Sequence, residues 1–307
     1  MSEEMAVWRK AISPDRDRRQ ARVLVWVVGT LLVALCLQTA LFAYALASRF
    51  PGFVFGALWI SVGFAVIAFS LRAATLAGAA FGGLVCLLLV FWLGQFENSP
   101  LRSGLTPLAL LFVLTFAATR LGKKRKAGAG LAEERHGRSA SQVIANLGVA
   151  GVASSWMGAS ALLACIRGVT PDYDTPLRLV GTVALAALVE ATADTVSSEI
   201  GQAFGGSPLM LTTVRRVEPG TDGAVSVLGT VAGIVAGAAV GFAGMWAVRL
   251  RLRDAIIAMV AGVAGLFFDS LLGATVERRG WLGNDLVNFA STLFAAAVAF
   301  GLMIVAG

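Results

Sequence analysis

Nine runs of mostly apolar residues, each near the length of a membrane crossing, leave this chain few ways to fold. A helix rises about 1.5 Å per residue, so roughly 20 apolar residues cross about 30 Å of hydrocarbon. The spans are predicted at about 23–48, 53–71, 73–95, 105–121, 142–166, 178–202, 224–248, 255–275 and 286–306. The fold class is therefore all-α, a polytopic transmembrane helical bundle of about nine spans. Composition points the same way. Only 14% of residues are charged, where a soluble domain carries about a quarter, and 57% are hydrophobic.

Residues 1–22 form a basic, partly amphipathic arm (Trp8, Arg9, Lys10, Arg16, Arg18, Arg19, Arg22), expected to lie on the membrane surface ahead of a single transmembrane domain, 23–307. The arm is mostly polar and precedes a long first span, so it does not read as a cleavable signal. A net charge of +7 would suggest nucleic acid in a soluble protein. Here the basic residues cluster in loops between apolar runs, and positive-inside bias explains them with no nucleic-acid partner. Lys123, Lys124, Arg125, Lys126, Arg135 and Arg138 place the 122–141 loop, with the N-terminus, on the cytoplasmic side of a bacterial-type inner membrane. Alternation carries 203–223 and 277–285 to that side as well. It leaves Arg249, Arg251 and Arg253 outside, against the same bias, so either span 7 is re-entrant or a late span is misplaced. Cys36, Cys86 and Cys165 fall in apolar runs without CxxC spacing, and His136 is the one histidine, so neither a disulfide framework nor a thiolate or histidine metal site is indicated.

Ionisable groups at membrane depth cost roughly 2.5–3.5 kcal/mol each on insertion scales, which makes them candidates for function. Span 6 carries three: Glu190, Asp194 and Glu199. At about 3.6 residues per turn, Glu190, Asp194, Ser197, Gly201 and Gly205 share one face, while Glu199 stands about 140° round from Asp194. A hard cation such as Mg²⁺ takes carboxylate oxygens together with water and phosphate oxygens. The glycines would let a phosphate come close to the backbone. Arginine pairing between helices, or a proton or ion pathway, would also account for the acids.

The loop after span 6 offers Arg215 and Arg216, then Gly220, Thr221 and Gly223 opening a helix: guanidinium forks plus backbone N–H groups, an anion cradle without the Walker pattern. Arg138 and Asn146 stand about two turns apart at the start of span 5. Asp269 ends span 8, and Asn284 and Asn288 open span 9; the asparagines also read as helix caps. The polar segments 122–146, 203–226 and 269–288, with the end of span 6, meet at one side by topology and argue for one site.

Asp194-Thr195-Val-Ser197-Ser198-Glu199-Ile-Gly201, Gly220-Thr221-Asp-Gly223 with Ser226, and Asp269-Ser270-Leu-Leu-Gly273 resemble the phytyl-phosphate kinase family of integral membrane proteins. Gly137-Arg138 with Gln142 and Asn146, and Asn284 with Asn288, match it too; the likeness covers roughly 70–306. More distantly, Asp194, Ser197, Gly201 and Gly205 reproduce a spacing found in CTP-dependent dolichol and phytol kinases and in membrane cytidylyltransferases. Arg215-Arg216-Val-Glu218 is similar to their basic stretch, with Pro219 inserted before Gly220.

The resemblance implies transfer of the γ-phosphoryl group of a nucleoside triphosphate, CTP by the wider likeness, to an isoprenyl monophosphate. It implies a catalytic set of Asp194, Arg138 and Asp269, with Asp194, Glu199 and Asp269 holding Mg²⁺. Arg138, Arg215 and Arg216 would take phosphates. Asn146, Ser197, Ser198, Gly201, Gly220, Thr221, Gly223, Asn284 and Asn288 would contact the nucleotide. A phosphate acceptor is already ionised, so the chemistry needs positioning and charge neutralisation above all. The partners implied are the bilayer, the isoprenyl phosphate and the nucleotide, and a homodimer stays open. Two rivals stand: a cytidylyltransferase attacking the α-phosphate, and an isoprenoid-phosphate transporter or flippase.

Overall fold

A computed structural model describes residues 12–94, 99–128, 137–165 and 175–306. Trp8, Arg9, Lys10, Arg135 and His136 lie outside them.

Every apolar run is helical. The helices are α1 (Pro14–Leu46, including a π-turn at Val25–Gly29), α2 (Pro51–Ser70), α3 (Leu76–Leu93), α4 (Leu105–Arg120), the short α5 (Lys123–Gly128), α6 (Ala140–Ser154), α7 (Trp156–Ala164), α8 (Thr175–Phe204), α9 (Val227–Val248), α10 (Leu252–Leu272, continued by a π-turn at Gly273–Glu277) and α11 (Asn284–Ala306). Between α8 and α9, strands β1 (Leu209–Met210) and β2 (Ala224–Val225) pair antiparallel. Among the described residues, seven helices are long and apolar enough to cross a membrane, or eight if α6 and α7 count as one span. The expected fourth span, α4, is a shorter apolar helix of 16 residues.

Two expectations change. Residues 14–22 of the arm do not form a separate helix on the membrane surface but extend α1, with Ser13 capping the Arg16 N–H at 3.4 Å. Once a helix has started, adding residues to it is cheaper than nucleating a second one. The run 142–166 is also not one straight span, because it turns by 71° between Ser154 and Trp156. Ser155 is extended there, and its hydroxyl accepts from Gly158 N–H at 3.0 Å and lies 2.7 Å from the Val152 carbonyl, so the break keeps its backbone groups satisfied.

Helix α8 is the axis of the bundle: 94% of its most apolar 18-residue stretch is buried, and α4, α6, α9, α10 and α11 pack around it. Its closest neighbour is α9, along a seam of glycines spaced four apart, Gly229, Gly233 and Gly237. A Cβ on Gly229 would sit 2.4 Å from the Ser197 carbonyl, and one on Gly233 2.4 Å from that of Ala193. Lipid tails are as apolar as leucine, so helices in a membrane gain from close backbone approach, which small residues permit.

With α6 and α7 counted as one broken span, successive spans alternate in direction. One end of the bundle gathers the starts of α3, α6, α9 and α11 and the ends of α4, α8 and α10. At the other end, Arg102 donates to the Trp246 carbonyl at 2.6 Å and lies 4.0 Å over its ring. Arg249, Arg251 and Arg253 stand at this far end, and α9 before them is an unbroken helix rather than re-entrant. Asp254 is beside them, with Arg253 Nε 3.6 Å away.

Candidate functional site

Helix ends with complementary polar groups meet around one cavity of about 1530 Å³. Its polar wall includes Arg138, Asn146, Asp194, Ser197, Ser198, Gly201, Gly220, Thr221, Gly223, Asp269, Asn284 and Asn288, all singled out from the sequence.

Arg138 is positioned through its backbone. Its N–H donates to the Ala73 carbonyl at 2.9 Å, and its own carbonyl accepts from Thr75 N–H at 3.0 Å. Gly137, at φ +91°, allows this contact, because a Cβ there would lie 2.9 Å from the Ala74 backbone. Gly78 gives way on the other side, its Cβ position being 2.5 Å from the Arg138 carbonyl. Held so, the guanidinium reaches α8: Nη2 is 3.4 Å from Thr195 Oγ1, and Asp194 feels its charge. Ser139 and Gln142 form a capping box that starts α6 just beyond, and Asn146 Nδ2 donates to the Gln142 carbonyl at 2.8 Å.

Opposite stands Asp269, with Ser291 Oγ 3.2 Å from its Oδ2, within electrostatic reach of Asp194, Glu190 and Glu277. Glu190 is 1% exposed, and its Oε1 has no hydrogen-bond partner. Carboxylates thus crowd together at membrane depth, an arrangement that a cation offsets. Among the described residues no group of three or more His, Cys, Asp or Glu could hold a metal on its own. The trio Asp194, Glu199 and Asp269 does not assemble, because Glu199 is paired with Lys126, a residue only 5% exposed. The Lys126 ammonium also donates to the Thr119 carbonyl at 3.1 Å.

The loop after α8 folds back over the cavity as a chain of tight turns. Thr221 N–H and Oγ1 both donate to the Glu218 carbonyl, at 3.3 and 2.7 Å. Pro219 and Gly220 hold the two central positions, with Gly220 at φ +83°, the pattern of a type II turn. Pro219, an insertion by comparison with the kinase-like stretch, is therefore what shapes the turn. Gly223, at φ +73°, lies so near the π-turn of α10 that a Cβ would meet Ala274 N at 2.1 Å. Asp222 is half-buried, which pushes its carboxyl up to about 6 despite the Arg278 guanidinium nearby.

Three sequence-based assignments differ in place. Arg215 and Arg216 are exposed and do not line the cavity; their backbone is tied outward by Met210 N–H to the Arg215 carbonyl at 2.9 Å and by a bridge between Leu209 and Arg216. Gly205 lies off the cavity and faces α9, its Cβ position 2.4 Å from Ser226 Oγ, while Gly201 lines the cavity and also packs on Ser226, at 2.8 Å. Glu199 does line the cavity, but its carboxylate is committed to Lys126. In place of Arg215 and Arg216, the cavity draws Arg72, Arg120, Lys123 and Lys126. The clue to these was positional: each flanks an apolar run at the end that alternation assigns to Arg138.

A family model described as integral membrane protein DUF92 matches residues 59–296, which takes in every lining residue of this cavity except Asp17. The chain belongs to that family. An uncharacterized membrane protein of Synechocystis is 32% identical over 202 residues, 66% of this chain and 74% of the relative. The chloroplastic protein VTE6 of Arabidopsis thaliana is 29% identical over 200 residues, 64% of this chain and 57% of that protein. An uncharacterized membrane protein of Methanocaldococcus jannaschii is 35% identical over 114 residues, 37% of this chain and 48% of the relative. No solved structure matches the chain. The family match leaves out α1 and the start of α2. Even so, α1 reaches the cavity rim, where Arg16 Nη1 donates to the Gly280 carbonyl at 3.2 Å, Gln20 Nε2 to that of Trp281 at 2.8 Å, and Asp17 joins the lining.

Proposed function

We propose that this protein is a membrane phosphotransferase that moves the γ-phosphoryl group of a nucleoside triphosphate, CTP by the resemblance, to an isoprenyl monophosphate. The observation that carries the reading is the joint presence of Asp194, Asp269, Arg138 and the Gly220–Gly223 turn on one cavity. Phosphoryl transfer asks for anion-binding groups and cation-binding groups side by side, and this wall has both. Similarity to VTE6, a chloroplastic protein by its name, fits the resemblance to the phytyl-phosphate kinase family.

Asp194 and Asp269 would hold Mg²⁺, whose preference for one or two carboxylates completed by water and phosphate oxygens suits a site without three grouped ligands. Bound there, the ion would neutralise charge on the transferring oxygens. Arg138 would orient the acceptor phosphate, with its backbone fixed by Ala73 and Thr75. Lys123, Arg120 and Arg72 would draw the triphosphate in, and the Gly220–Gly223 turn would bring backbone N–H groups to it. Lys and Arg are concentrated at the site end, where positive-inside bias favours the cytoplasm and its nucleotides.

The test is purified protein with Mg²⁺, a prenyl monophosphate and CTP labelled on the γ-phosphate. Label in the lipid product is the expected result. Release of labelled pyrophosphate with cytidylate on the lipid would instead mean a cytidylyltransferase, and transport of the lipid phosphate without nucleotide use would mean a transporter.

A further inference from the structure

The cavity has a second compartment that the phosphate chemistry does not use. Beyond Arg120 its lining changes to Phe64 and Ala68 of α2, Ala79 and Gly82 of α3, and Leu108, Leu111, Phe112 and Phe116 of α4. The helix packing explains why space is left here. At the far end α4 is pressed on α3, where a Cβ on Gly104 would meet Leu89 Cβ at 2.7 Å. Toward the site end α4 leans the other way, with Ala118 packed against Val196 of α8 and Ala236 of α9. The two helices therefore diverge, and the wedge between them faces α2, which is reached by ring contact of Phe64 with Phe112 at 5.5 Å. At the rim, Arg120 Nη2 donates to the Leu71 carbonyl at 3.0 Å, and its guanidinium lies 4.1 Å over Phe116. One cation thus stands where the polar chamber becomes the apolar wedge. From Arg120 to Leu108 the wall is about 18 Å long at about 1.5 Å per residue.

We infer that this wedge between α2, α3 and α4 holds the hydrocarbon tail of a lipid monophosphate whose headgroup lies at Arg138 and Asp194. The inference rests on the phosphotransferase reading for the headgroup. The occupant follows from continuity: an apolar slot that opens into a basic, carboxylate-lined chamber inside one cavity fits a molecule with an apolar chain on an anionic head. Gly82 and Ala79 form the α3 wall of the slot, Ala79 with Phe112 packed against it. A Cβ on Gly82 would touch Phe64 Cε1 at 3.5 Å, so a larger side chain there would press on that ring and narrow the slot.

The experiment reads binding without nucleotide. Full-length protein in lipid nanodiscs is photolabelled with a long-chain prenyl monophosphate bearing a diazirine at the tail end, and the labelled peptides are mapped by mass spectrometry. Label on α2, α3 and α4 near Phe64, Ala79, Gly82 and Phe112 is expected. Label chiefly on other helices overturns the inference. In parallel, Gly82→Leu and Ala79→Phe should weaken the long-chain ligand at least about tenfold while leaving dimethylallyl monophosphate within about twofold. Gly56→Leu, at a position with open space around it, serves as control. Either variant is sufficient if the other does not fold. Equal loss for both ligands, or loss for neither, overturns the inference. A wild-type protein that labels in the wedge yet transfers no phosphoryl group would overturn the phosphotransferase reading alone.

Discussion

Arg178 grips Asp254 in a two-bond fork, Nε to Oδ2 at 2.7 Å and Nη2 to Oδ1 at 2.8 Å, joining the start of α8 to the start of α10 at the end of the bundle opposite the cavity. Asp254 is fully buried, so its charge depends on that partner. Breaking one side of a buried pair leaves the other uncompensated, at roughly 3–5 kcal/mol. Arg178→Ala should therefore lower the thermal unfolding midpoint in detergent by several degrees, while turnover per folded molecule stays near that of the wild type. Equal midpoints for variant and wild type would show that the fork is not structural.

Asp194 and Glu199 lie on one helix but have different surroundings, and their substitutions should separate. Asp194→Asn removes a carboxylate facing the cavity and should cut turnover on the order of 10²–10³-fold with folding retained. Glu199→Gln keeps the shape and weakens the pairing with Lys126, so turnover should fall by less than about tenfold. Initial rates on both purified variants decide this; equal losses would return Glu199 to the set expected to hold Mg²⁺.

The α8–α9 seam leaves no room for a side chain. Gly233→Ala would place its methyl group 2.4 Å from the Ala193 carbonyl. Overpacking of this kind costs about 1–3 kcal/mol and would push apart the helices that carry Asp194 and the 220–223 turn. A lower unfolding midpoint together with reduced activity is expected, and an unchanged midpoint would argue that α9 shifts freely.

Asp222 supplies a pH dependence. Its carboxyl rises from the ordinary 3.8 to about 6 in the folded protein. A raised folded value favours the protonated form, so the associated stability is full below about pH 4 and is lost as pH climbs through 6. Asp222→Asn should flatten the stability profile between those limits and make the protein relatively more stable than wild type above pH 6. Thermal denaturation of both proteins from acid to neutral pH is the measurement; parallel profiles would rule Asp222 out as the source.

Local chemistry explains why so much could be read early. An apolar run of bilayer length has to be helical, since lipid satisfies no backbone group, and short loops force alternation. Those two facts alone bring Arg138, Asp194, Thr221, Asp269 and Asn284 to one end, where they share a cavity. The direction in which a side chain points is a different matter, because it depends on neighbours distant in sequence. Gly205 looks like part of a phosphate path until α9 is laid against it with Ser226 in the gap. Arg215 and Arg216 look like phosphate ligands until pairing with Pro208 to Met210 turns that stretch outward.

Period and hydropathy thus suffice for the membrane class, the helices and the end at which polar motifs collect. Packing between helices assigns Glu199 to Lys126, extends the N-terminal arm into α1 and docks it on the 280–283 turn, and opens a wedge where α3 and α4 diverge. The reason is physical: the first set of properties is satisfied within single segments, whereas the second exists only once distant segments compete for the same space.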